Sequence, residues 1–167
     1  MKSKFSKHNL NLYNILLTLS RNLFFYKKIG LADSFETRIY LMFLHFSIYL
    51  IIFKKKGLKF DQDIYDNVFN NIEYNLRELG FGDVTVNKKM KELNKIFYDI
   101  LLKIDLEQNN QNNFKINSEL IKKYFNLFKN KENSNLSQFI DYFLNFYNFC
   151  FEIPLNSMVE DSIKFKF

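Results

Sequence analysis

"IYLMFLHFSIYLIIF", residues 39–53, is an uncharged run bounded by Arg38 on one side and by Lys54, Lys55 and Lys56 on the other. Whether it crosses a membrane or fills a core decides the fold. It has 15 residues, whereas a spanning helix needs about 20. It also contains His45 and Ser47, two groups that need hydrogen-bond partners out of water. The run therefore reads as the central helix of a globular core, with an interfacial contact as the second reading and a span as the last.

Composition supports that reading outward from the run. The chain of 167 residues has 21 Phe and 10 Tyr but no Trp, and only four Gly and one Pro. So few helix breakers in one domain-sized chain favour an all-α class. Lysine outnumbers arginine 21 to 3 and Asn is abundant, a pattern of AT-rich coding, so exposed Lys and Asn carry little information by themselves. The net charge of +6 is uneven: residues 1–60 hold 11 basic and 2 acidic side chains, and residues 61–167 hold 13 and 16. The basic first third suits an ordinary solvated surface, nucleic acid, a ribosome or an anionic membrane. Cys150, the one cysteine, excludes an intramolecular disulfide and reads as a small buried hydrophobe.

Apolar periodicity predicts six helices. The first covers about 9–27, with Leu12, Ile15, Leu16, Leu19 and Leu23 on one stripe, and stops at Gly30. The second covers about 34–53, with Asp33 as N-cap and Glu36 three residues on. The third, about 61–79, is capped by Asp61 and ends where Gly80 supplies a left-handed residue. The fourth, about 86–107, carries Val86, Met90, Leu93, Phe97, Ile100 and Ile104 at alternating spacings of four and three, a face for an antiparallel neighbour. Two shorter aromatic helices follow, about 117–129 and 136–151, the last ended by Pro154. The expected fold is a single compact helical bundle over residues 1–167, with a basic tail at 1–8, a polar linker at 108–115 and a short, extended, loosely docked C-terminal tail at 152–167.

No motif carries catalysis. "GFGDVT", residues 80–85, lacks the preceding strand of a dinucleotide site and the Gly-Lys-Ser/Thr ending of a phosphate loop. His45 has no companion ligand nearby, because the other histidine is His8 in the basic tail. It reads as a satisfied buried histidine rather than a metal or haem ligand. The three arginines suit fixed pairing, and Arg21, Arg38 and Arg77 with Asp33, Glu36, Glu73, Glu78 and Asp83 are candidates for one polar network tying the first helices to the glycine turn. No cofactor and no enzymatic activity are expected.

Two stretches resemble a known family. "SRNLFFYKKIGLADSFETRIYLMFLHF" (20–46) is similar to its pattern of Arg-Asn, an aromatic Tyr, Gly, Asp, an Arg and an apolar Leu-His pair. "NNIEYNLRELGFGDVTVNKKMKELNKIFY" (70–98) resembles its Leu-Arg-Glu-X-Gly-X-Gly-Asp turn followed by Val, Lys and Met. The family is the ubiquinol–cytochrome c chaperones, assembly factors of the cytochrome bc1 complex in mitochondria and alphaproteobacteria. The likeness covers about residues 12–105 and matches at Arg21, Tyr26, Asp33, Arg38, His45, Asn75, Arg77, Glu78, Gly80, Gly82, Asp83, Met90 and Tyr98. The sequence departs from the pattern at Ala32 and Asn87, where prolines are common, at Asn71 and Glu73 in place of aspartates, and at Asp99-Ile100 in place of Gly-Arg.

The resemblance implies an all-helical, non-enzymatic factor that holds newly made cytochrome b, with a small partner chaperone and the ribosome nearby. The expected contact surface is the turn formed by Arg77, Glu78, Gly80, Phe81, Gly82, Asp83 and Val84, together with a face of the 34–53 helix carrying Arg38 and His45. The expected place is the cytoplasmic face of a bacterial inner membrane as a peripheral protein, or the matrix side in a mitochondrion, with no role for DNA. The alternative is a ribosome- or RNA-binding module using Lys2, Lys4, Lys7, Lys27, Lys28 and Lys54–Lys56. An enzyme of lipid or quinone metabolism ranks last.

Overall fold

A computed structural model describes residues 12–108, 114–130 and 135–167. The basic tail and most of the polar linker lie outside them, as do Lys2, Lys4, Lys7 and His8. The described residues form helices α1 (Leu12–Ser20), α2 (Phe35–Lys55), α3 (Gln62–Glu78), α4 (Asp83–Gln108), α5 (Ser118–Tyr124), α6 (Asn135–Glu152) and α7 (Met158–Asp161), with no strand among them.

Helix α2 is the axis of the bundle. The run 39–53 is buried on nearly every side, touching α1, α4 and α6. The whole helix, Phe35–Lys55, is long and apolar enough by length and composition to cross a membrane, yet it is mostly buried here as the core helix. The structure moves its N-cap from Asp33 to Ser34, whose Oγ accepts from Thr37 N at 3.2 Å. Asp33 instead accepts from Arg38 Nε at 2.9 Å. At the other end the three lysines bond to the protein's own surface groups: Lys54 Nζ donates to Asp105 at 2.7 Å, Lys55 Nζ to Tyr147 Oη at 3.1 Å, and Lys56 Nζ to the Phe151 carbonyl at 2.7 Å.

The first helix ends earlier than its periodicity predicts. After Ser20 the chain breaks, Asn22 Oδ1 accepts from Phe24 N at 3.0 Å, and one π-helical turn spans Phe24–Lys28. Continuing the α-helix would have buried Leu23. The break leaves Leu23 exposed and puts the larger Phe25 ring in the core, a gain in buried apolar surface. Tyr26 Oη ties the break together by donating to the Ser20 carbonyl at 2.6 Å.

Helices α3 and α4 follow the sequence closely. Asp61 caps α3, accepting from Asp63 N at 2.9 Å and Ile64 N at 3.2 Å. Val86, Leu93, Phe97, Ile100 and Ile104 are buried along α4, with Met90 partly so. Asp99, the departure noted above, is used: Lys123 Nζ at 2.7 Å and Tyr124 Oη donate to it and pin α5 onto α4. Burial opposes its charge, but the bonds from Lys123, Tyr124 and Lys103 outweigh that and hold the carboxyl below its ordinary range.

The C-terminal tail is docked rather than loose. Residues 158–161 form α7 and Ser162–Lys164 one 3-10 turn, leaving only 165–167 extended. Met158 and Ser162 are fully buried, Ser162 Oγ lies 2.5 Å from Tyr49 Oη on α2, and Phe165 packs edge-on against Tyr142 and Phe146. An isolated turn of four residues is not stable by itself; tertiary burial holds this one.

Candidate partner-binding site

The α3–α4 turn is built by two glycines with different jobs. Gly80 has φ +93°, its N–H donates to the Arg77 carbonyl at 3.0 Å, and Phe81 N reaches back to the Leu76 carbonyl at 3.4 Å. That pair of bonds is the Schellman closure of a helix, which needs a left-handed residue. Gly82 has no positive φ; its carbonyl accepts from Val86 N at 2.9 Å, which makes it the first cap of α4. A Cβ added there meets nothing within 4 Å.

Arg77 locks the turn. Its Nη2 donates to Glu73 at 2.9 Å along α3, and its Nη1 pairs with Asp83 at the start of α4. Those bonds, from Glu73 first and then Asp83, hold the guanidinium still more firmly in its charged form. Asp83 also sits in the first turn of α4, where a carboxylate complements the helix dipole. Around this fixed polar clasp the apolar groups are open. Leu79 is 56% exposed, Val84 84% and Tyr74 68%, while Phe81 lies beneath Lys89 Nζ, 4.8 Å from its ring centre. A shallow pocket of about 310 Å³ lies beside the clasp, between Asn70, Glu73, Tyr74 and Arg77. Tyr74 and Leu79 were missed by sequence reasoning. An aromatic at a polar position of an otherwise amphipathic α3 was the available signal.

The remaining candidates fall elsewhere. The supposed single network is divided, with Arg38 on α2 pairing Asp33 just ahead of that helix and Arg77 on α3 pairing Glu73 on α3 and Asp83 on α4. Arg21, Glu36 and Glu78 are exposed. Glu36 borders a second groove of about 600 Å³ between the start of α2 and α5, which Tyr40, Lys123 and Tyr124 also line. Of the residues matched by resemblance, Asn75 faces inward toward Tyr13 Oη at 3.4 Å, and Tyr98 is exposed.

His45 is corrected outright as a surface contact. It is fully buried between α2 and α6. The Leu41 carbonyl, 2.7 Å from Nδ1, can only accept, so Nδ1 carries the proton and Nε2 accepts from Tyr142 Oη at 3.0 Å. Burial lowers its pKa to about 4, opposed in part by the Leu41 bond. The neutral ring is architecture. With it goes the expectation that the middle of the 34–53 helix meets a partner. Cys150 is buried, which pushes its thiol up to about 12, too high for a nucleophile. Among the described residues no group of three His, Cys, Asp or Glu stands close enough to hold a metal ion.

An all-helical scaffold with open apolar side chains around a closed turn has the features of a protein that presents a shaped surface to another macromolecule. The particular family follows from comparison: the model of the ubiquinol-cytochrome C chaperone family matches residues 27–163, and the chain belongs to that family. Its role is therefore that of a chaperone in assembly of the ubiquinol–cytochrome c reductase (bc1) complex, which implies a non-enzymatic part. The match runs through α5–α7, beyond the stretch of clear resemblance, but leaves out Arg21 and Tyr26. No curated protein and no solved structure matches the chain significantly.

Proposed function

We propose that the chain holds newly made cytochrome b before it joins the bc1 complex, and that the α3–α4 turn is the surface that touches it. The observation carrying this reading is the combination at that turn: Arg77 fixed by Glu73 and Asp83, with Leu79 and Val84 left open to water beside it. A preorganised polar anchor ringed by apolar side chains is the arrangement interface hot spots take, because little ordering remains to be done on binding. The protein works as a peripheral component at the inner-membrane face, cytoplasmic in a bacterium or matrix-side in a mitochondrion, with a small partner chaperone and the ribosome as further contacts.

The test is recovery of cytochrome b on tagged protein from native cells in mild detergent. Arg77→Ala and Asp83→Ala remove exposed side chains, so both variants keep the wild-type melting temperature to within a degree or two. Each lowers recovery by about ten-fold, the loss of one contact worth roughly 1.4 kcal/mol. Equal recovery by wild type and variants removes the turn from the client surface. Wild type that brings down ribosomal proteins and no cytochrome b rejects the client itself.

A further inference from the structure

Helix α4 carries five lysines and five carboxylates, and lysines predominate on its outermost stripe, with the exposed Glu92 on its flank. Three of the carboxylates are tied up by cations: Asp83 by Arg77, Asp99 by Lys103 and Lys123, and Asp105 by Lys54. Lys88, Lys91 and Lys95 are exposed and have no carboxylate within ion-pair distance among the described residues. They fall in the series Val84, Lys88, Lys91, Lys95, Tyr98, Leu102, spaced alternately by four and three, which keeps them on one stripe opposite the buried face. The ends of that stripe are apolar and open, with Val84 84%, Tyr98 52% and Leu102 58% exposed. The stripe extends for roughly 27 Å at 1.5 Å per residue.

We propose that this stripe lies on the surface of an anionic bilayer. The three ammonium groups sit among headgroup phosphates, and Val84, Tyr98 and Leu102 reach the acyl boundary, with the Tyr98 hydroxyl kept at the wet side. A straight exposed ridge can lie flat on a plane, and lysine stems reach past the apolar groups to the charged layer. RNA fits the same surface less well. The stripe has no arginine and no cleft, and exposed Val84 and Leu102 gain nothing against a phosphodiester backbone. Since Val84 belongs to both surfaces, a membrane contact here sets the α3–α4 turn at the bilayer, where a membrane-protein client emerges. The proposal itself does not depend on that client.

Flotation of the purified full chain with vesicles tests it in the absence of any client. Binding is expected to vesicles containing about one-third phosphatidylglycerol, to weaken with salt, and to be absent with pure phosphatidylcholine. Lys88→Gln/Lys91→Gln/Lys95→Gln lowers partitioning by about 100-fold, at roughly five-fold per charge. Lys27→Gln/Lys28→Gln/Lys129→Gln makes the same change in net charge on other exposed lysines and leaves partitioning near wild type. Tyr98→Ser/Leu102→Ser weakens binding while keeping its salt dependence. No binding to anionic vesicles overturns the proposal, as does equal weakening by the two lysine triples. A wild-type chain that binds an RNA oligonucleotide and no vesicle overturns it in favour of RNA.

Discussion

In the seam between α2 and α6 the polar groups of His45 and Tyr142 are satisfied within a shell of rings, Phe25, Phe143 and Phe146, whose centres lie 4.8–6.0 Å from the imidazole. At the α3–α4 turn Arg77 is paired with two carboxylates, but Leu79 and Val84 beside it are left in water. Both sites hold polar groups in hydrogen bonds, and only one leaves apolar area uncovered. Burial already realised in the fold contributes to stability. Apolar area still exposed is what a partner gains by covering. On the proposed reading the seam serves stability and the turn serves client contact, and that contrast can be broken from either end.

The largest effect belongs to the seam. Phe143 is fully buried against Phe25, His45, Phe139 and Tyr142. Phe143→Ala removes a ring from a packed site that cannot close over the gap, with an expected loss of about 3–5 kcal/mol in denaturant unfolding. Phe81→Ala, at the half-open turn, loses about 1 kcal/mol or less. Similar losses for the two would mean that the turn, too, is core.

His45 comes next and shows itself through pH. The folded state holds the ring neutral down to about pH 4, while the unfolded chain takes up a proton near the ordinary value of about 6.5. The unfolded state therefore binds more protons between those values. The stabilising contribution of the neutral ring is complete above about pH 6.5 and is lost as pH falls, with a total near 3 kcal/mol by pH 4. Asp99 and Asp161 are held below the ordinary carboxyl range, so their contribution is lost mainly below about pH 4 and adds only a little slope at the acid end of that window. His45→Gln flattens the profile between pH 6.5 and 4. An unchanged slope in that variant assigns the titration to another group.

These tests also separate what a reader of the sequence could and could not see. The core role of α2 is legible because an uncharged run that contains His45 and Ser47 and falls short of a span has few other places to go. The face of α4 is legible because its spacing is local. The break after Ser20 is not, since Leu23 continues the apolar stripe and only the competing claim of Phe25 for the core ends the helix. The docked tail is hidden for a related reason: Ser162 meets Tyr49 across 113 residues of chain, and no periodicity within "DSIKFKF" encodes a contact that distant. At the site, the pairing of Arg77 with Glu73 follows from helical spacing. Which carboxylates each arginine chooses across helices does not, and for that reason the single network of eight charges divides into separate pairs.

The smallest stability effect is the sharpest test of the turn, because its two glycines look alike in sequence and differ in structure. At Gly80, φ +93° is a conformation that a Cβ opposes, so Gly80→Ala is expected to lose about 1 kcal/mol. At Gly82 neither φ nor space requires glycine, so Gly82→Ala unfolds within about 0.5 kcal/mol of wild type. Any fall in cytochrome b recovery with Gly80→Ala is therefore confounded by folding, whereas a fall with Gly82→Ala is not. The added methyl group at position 82 stands on the exposed surface between Phe81 and Asp83, where it hinders only something that approaches the backbone from outside. A Gly82→Ala protein that melts like wild type but recovers less cytochrome b identifies the glycine as part of the contact. One that recovers the same amount confines the client to side chains around it, with Arg77 and Val84 the next to be varied.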